Sequence, residues 1–202
     1  MSETTSDYQL AWCADAAYRV SPTFAVGDLH AMEWDGVGES VIAIRGSTAD
    51  PRDWLRDADA FPVEAMGLGF CHPGFLGAAR ALMTRVGLDR LSGTILTGHS
   101  LGGAIAVAWG ALAARAGAPP LAIVTFGAPR VGGVLFQAAL QHVPMRLYRN
   151  GNDPVTEIPW LPPVYAQPRP LISIGVPEAD PFAAHAITAY LRALGPAAAR
   201  TA

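Results

Sequence analysis

The residues that could do chemistry begin with a serine, Ser100, set in Gly98-His99-Ser100-Leu101-Gly102. A serine hydroxyl is a poor nucleophile while protonated, so it must be raised clear of the backbone and offered to a base. The apex of a sharp strand-to-helix turn does this, provided the residues around it are small. Leu91, Ile95 and Leu96 read as a buried strand that Thr97 closes, and Ala104–Ala114 reads as a helix of small residues. Gly98 and Gly102 fit the turn, because a side chain at either place would strike the crossing strand or helix. The same turn aims the N–H of Leu101 and a helix N-terminus at the place where an oxyanion would form. His99, next to the nucleophile, is expected to pack or hydrogen-bond behind it.

A serine of this kind needs a base, and the base needs a group that fixes its tautomer. On open α/β sheets that use this chemistry the chain order is serine, acid, histidine. Two histidines follow Ser100: His142, expected inside a helix over 134–142, and His185, at the start of a terminal helix over 183–194. His142 precedes every acid after the serine, so the order selects His185. Asp153, Glu157, Glu178 and Asp180 lie between serine and base. Asp153 is preferred because it follows the strand around Met145–Tyr148 in a Gly-Asn-Asp-Pro turn; Asp180 is the second choice, or an ordinary helix cap. A second oxyanion donor is expected from Ser47, in the turn Arg45-Gly46-Ser47-Thr48 after the strand Val41–Ile44; a plain cap for a helical piece near Asp53 is the alternative.

The elements around these residues alternate helix and strand, so the expected fold class is α/β: an α/β-hydrolase fold with a mostly parallel central sheet, at minimal size without a cap domain. Residues 1–202 are read as a single domain. A helix over 7–19, an outer hairpin (24–26 and 30–34), helices at 75–86 and 134–142, and strands at 121–126, 145–148 and 171–174 complete the reading, with 48–69 left irregular. Apolar residues make up 51% and charged ones 15%, which excludes a disordered chain, and a net charge of −3 gives nucleic acid nothing to hold. All 14 basic residues are arginines, which excludes a Schiff-base lysine. No cofactor is called for, and neither cysteine nor histidine spacing suits a metal. Cys13 and Cys71 are read as reduced core thiols, with a disulfide in an exported form as the alternative. The longest apolar stretch is too short to cross a bilayer, and the first residues lack a secretory leader, so the expectation is a cytoplasmic protein, with export by a non-classical route as the alternative. The oligomeric state is not legible.

Several segments in order resemble the class 3 lipases, the fungal-lipase-like α/β hydrolases. They are Ile44-Arg45-Gly46-Ser47, His72-Pro73-Gly74-Phe75, Gly98 to Ala104, Thr125 to Gly132, Arg149 to Val155, and His185 with Tyr190. The resemblance spans roughly residues 7–194. It implies a Ser100–Asp153–His185 triad, an oxyanion hole at Ser47 and Leu101, and hydrolysis of acyl esters such as acylglycerols, with a lipid or small ester as partner and a lipid–water interface as one setting for it. Phospholipase A1, thioesterase or acyltransferase chemistry on the same residues, or an inert lipid-binding module, are the alternatives. The family keeps a lid after its oxyanion turn, which makes Trp54, Leu55 and Phe61 lid candidates; Trp160 is a candidate wall of an acyl groove. Simple closure of the core by 48–69, and a proline-rich surface loop around Trp160, stand beside those readings. Ile44 replaces the family's usual aromatic, and the stretch from Asp153 to His185 is short, leaving less wall for a long acyl chain.

Overall fold

The computed structural model describes residues 5–35, 39–48 and 61–195. Its framework is a seven-stranded sheet in the order β1-β2-β3-β6-β7-β8-β9. The strands are β1 (Phe24–Val26), β2 (Leu29–Asp35), β3 (Ser40–Ile44), β6 (Thr94–His99), β7 (Ala122–Phe126), β8 (Met145–Asn150) and β9 (Ile172–Ile174). β1 to β3 run antiparallel, and from β3 to β9 every neighbouring pair is parallel. The central strands β6 and β7 are buried along their whole length because both faces of the sheet are covered there. Ile42, Ile44, Leu96, Ile123 and Leu147 face one hydrophobic cluster, while Val41, Ala43, Ile95, Val124 and Phe126 face the other.

Helices α1 (Asp7–Ala16) and α6 (Ile187–Leu194) cover the second of these faces. Helices α2 (Pro73–Val86), α3 (Leu101–Arg115) and α4 (Val134–Ala139) cover the first. α1 starts on a capping box between Ser6 and Gln9, and Asp7 in its first turn ties the helix to β8 through Arg146 (2.6 Å) and the Tyr148 hydroxyl. α2 starts at His72, whose Nδ1 accepts from the Phe75 N–H at 3.3 Å.

Several elements differ from the sequence reading, among them the first helix, which ends at Ala16 rather than at 19. A two-stranded ribbon, β4 (Val63–Ala65) paired with β5 (Gly69–Cys71), occupies the end of the segment expected to be irregular. Leu91 lies in a 3₁₀ turn over Asp89–Leu91, and the strand begins at Thr94. α4 stops at Ala139, which leaves His142 in an exposed turn. The terminal helix is broken in two, α5 (Pro181–His185) and α6, because Ala186 takes an extended ψ of 133°. Trp54 and Leu55 lie outside the described residues. Cys13 and Cys71 are buried free thiols, and burial pushes each up to about 11.

Candidate active site

All the parallel strands end on the same side, so the turns after β3, β6, β7 and β8 gather at one edge of the sheet. β6 is central, and all six of its residues are buried. At its end the chain turns into α3 through Ser100, at φ 55° and ψ −127°, the only residue other than glycine with positive φ among the described residues. A serine held there costs about 1–3 kcal/mol, so the surroundings must enforce it. The Ser100 N–H donates to the Phe126 carbonyl at 2.9 Å, and its carbonyl accepts the Ala104 N–H at 3.2 Å. A Cβ on Gly102 would lie 2.1 Å from the Ile44 carbonyl oxygen, and one on Gly98 would lie 2.5 Å from Gly102. Only bare backbone lets helix, elbow and neighbouring strand approach this closely.

The structure brings Ser100, His185 and Asp153 together in one line. Ser100 Oγ lies 2.9 Å from His185 Nε2, and His185 Nδ1 lies 2.9 Å from Asp153 Oδ2. Nδ1–H donates to the carboxylate, which leaves Nε2 free to accept the serine proton. Asp153 is fully buried. Its Oδ1 accepts the Val155 N–H at 2.9 Å, and its Oδ2 also accepts the Tyr190 hydroxyl at 2.5 Å. Burial, reinforced by the carboxylate beside it, pushes the Tyr190 phenol well above its usual range, so it stays a donor. His185 sits at the break between α5 and α6, with Asn150 Nδ2 donating to the neighbouring Ala184 carbonyl at 3.0 Å.

The other acids have different work. Asp180 caps α5 by accepting the Phe182 N–H at 3.1 Å, and Glu157 pairs with Arg130 and with Arg149, the latter at 2.7 Å. Glu178 lies 3.4 Å from Arg192. Leu101 is the first residue of α3, so the helix itself gives its N–H no acceptor. The turn carrying Ser47 leaves β3 beside Gly102, and Arg45 anchors it by donating to the Asp28 carbonyl at 2.7 Å. His99 lies behind the base: its Nε2–H donates to the His185 carbonyl at 2.7 Å, and its Nδ1 accepts the Tyr18 hydroxyl at 2.9 Å. Burial pushes His99 down to about 3, so the ring stays neutral. Trp160 and Phe61 are 71% and 92% exposed, and the Trp160 ring stacks against Arg130. Tyr18 was not singled out from the sequence, and Tyr190 only by its spacing from His185. Tyr18 reaches the site across 81 positions, which leaves no local signal.

The family model described as Lipase (class 3) matches residues 41–162. Secreted mono- and diacylglycerol lipase 1 of Fusarium solani is 32% identical over 138 residues, 62% of this chain and 40% of that protein. Toxin TseL of Vibrio cholerae is 34% identical over 116 residues, 53% of this chain and 18% of that protein. The chain thus spans less than half the length of either relative. Among solved structures, a lipase from Rhizopus microsporus var. chinensis superposes with a TM-score of 0.65 at 21% identity, covering 88% of this chain and 77% of that one. The match to the family model covers more than half of the sequence, and the chain belongs to the class 3 lipase family.

Proposed function

We propose that this chain is a serine carboxylic-ester hydrolase of lipase type, acting on acyl esters of lipid-like substrates. The observation that carries the reading is the buried line Ser100–His185–Asp153, two consecutive contacts of 2.9 Å, with the serine on a strained turn. His185 Nε2 takes the proton as Ser100 Oγ attacks the ester carbonyl, and a tetrahedral oxyanion forms. The N–H groups of Leu101 and Ser47 receive that oxyanion, helped by the positive end of α3. His185 then protonates the departing alcohol, leaving an acyl-serine. Water, deprotonated by the same imidazole, attacks the acyl group and releases the acid. Asp153 holds the ring and stabilises the imidazolium in both halves.

Two further features support a lipid-like substrate: the family to which the chain belongs, and the Fusarium relative described as a mono- and diacylglycerol lipase. The test is covalent labelling by a fluorophosphonate followed by a chain-length series of p-nitrophenyl esters. Wild-type protein should take up one probe per chain at Ser100. Ser100→Ala should keep the fold, lose labelling, and fall in kcat by about 10⁴–10⁶. Ester turnover in folded Ser100→Ala close to wild type would overturn the assignment.

A further inference from the structure

The triad does not use His99 or Tyr18, yet both are wired to its surroundings. Tyr18 lies just beyond α1 and is half-buried. Its hydroxyl accepts the backbone N–H of Gly46, in the turn that carries Ser47, and a Cβ on Gly46 would sit 2.1 Å from that oxygen. The same hydroxyl contacts His99 Nδ1 at 2.9 Å, and His99 Nε2 contacts the His185 carbonyl at 2.7 Å. The direction of every bond is forced. A carbonyl only accepts, so His99 Nε2 carries the proton; in the neutral ring Nδ1 then only accepts, so the Tyr18 hydroxyl must donate to it. The lone pairs of that hydroxyl are thereby left for the Gly46 N–H. One proton arrangement satisfies the whole line, and the depressed basicity of His99 keeps it neutral through the range where an ordinary histidine titrates.

We propose that Tyr18 and His99 are positioning residues that hold the oxyanion turn and the backbone of the base in one register, an inference that rests on the hydrolase reading above. Neither residue hydrogen-bonds to Ser100 Oγ or His185 Nε2, and the His99 ring packs beside the His185 ring with centroids 4.7 Å apart. Their line of hydrogen bonds ties two parts that arrive from opposite ends of the chain, the turn after β3 and the break between α5 and α6. A phenylalanine at position 18 would keep the ring in place beside His99, where the ring centroids are 6.0 Å apart. What it would lose is the hydroxyl, whose two partners, Gly46 N–H and His99 Nδ1, both lead to the active site. Freed of this tie, turn and base can shift independently, and a misplacement well under 1 Å slows reaction more than it weakens substrate binding.

The experiment compares Tyr18→Phe, His99→Gln and His99→Leu with wild type, by kcat and KM on a soluble p-nitrophenyl ester and by the rate of fluorophosphonate labelling. A glutamine places its amide nitrogen where Nε2 sits, so it keeps the donor to the His185 carbonyl and loses the acceptor for Tyr18. Tyr18→Phe should lower kcat by about 5–20-fold and the labelling rate in step, with KM within about twofold. His99→Gln should retain several-fold more kcat than His99→Leu, and adding Tyr18→Phe to His99→Gln should cost less than it costs wild type, because the shared bond is already gone. Unchanged kcat and labelling in Tyr18→Phe overturns the inference, even if the variant melts earlier. Should Tyr18→Phe fail to fold, equal kcat in His99→Gln and His99→Leu overturns it instead. A wild-type protein that neither turns over esters nor takes up the probe sinks the hydrolase reading itself, a separate outcome.

Discussion

Asp153 is wholly enclosed, and its two oxygens accept from three donors: the His185 ring, the Val155 amide and the Tyr190 hydroxyl. Each donor helps fix the carboxylate, so the loss of one is felt twice, as an unsatisfied buried acceptor and as freedom in the triad. Tyr190→Phe should therefore lower stability by about 1–3 kcal/mol in urea unfolding, while kcat drops by no more than about tenfold because the other two donors remain. Ser100, Asp153 and His185 were legible in the sequence for different reasons. The serine sits in a compact glycine-bounded segment, the aspartate in a turn directly after a strand, and the histidine falls out of chain order. Tyr18 had no such signature. It looked like the last turn of a helix read as 7–19, whereas the helix ends at Ala16 and the tyrosine's hydroxyl meets a partner 81 positions away.

The helices and strands were readable wherever a hydrophobic pattern ran long enough to declare its period. β6 and α3 fall where expected, apart from the 3₁₀ turn at Leu91. The β4–β5 ribbon escaped because three-residue strands show barely one alternation and sit among turn-forming glycines. The break at Ala186 escaped because alanine is a good helix former, and tertiary contacts around His185 override that preference. Glycines within helices provide a test at this scale. Gly77, in the exposed middle of α2, has open space where a Cβ would go, whereas Gly102 at the start of α3 has the Ile44 carbonyl 2.1 Å away. Gly77→Ala should raise stability by roughly 0.5–1 kcal/mol through reduced freedom of the unfolded chain. Gly102→Ala should cost about 3 kcal/mol or prevent folding, since backbone cannot rotate aside as a side chain can. Thermal melts followed by circular dichroism read both.

Across the whole molecule, the buried imidazole of His99 links stability to acidity. The sign follows from His99, which burial holds at about 3 when folded against 6.5 for the unfolded chain. Between those values the unfolded chain binds a proton that the native state refuses. Stability is thus fully present above about pH 6.5 and falls by up to ~1.4 kcal/mol per pH unit below it. Unfolding midpoints measured from pH 8 to pH 4 should show this slope in wild type and a shallower one in His99→Gln. The sheet order has one more consequence. The groups that assemble the site stretch from Tyr18, just past the first helix, to Tyr190 inside the last one, and the hydrogen bonds joining them cross the central strands rather than staying within either half. A fragment cut inside that span would lose groups that meet at the site. Room for diversification lies in lengthening the loops along the rim, where additions can reshape what is admitted without disturbing the machinery beneath.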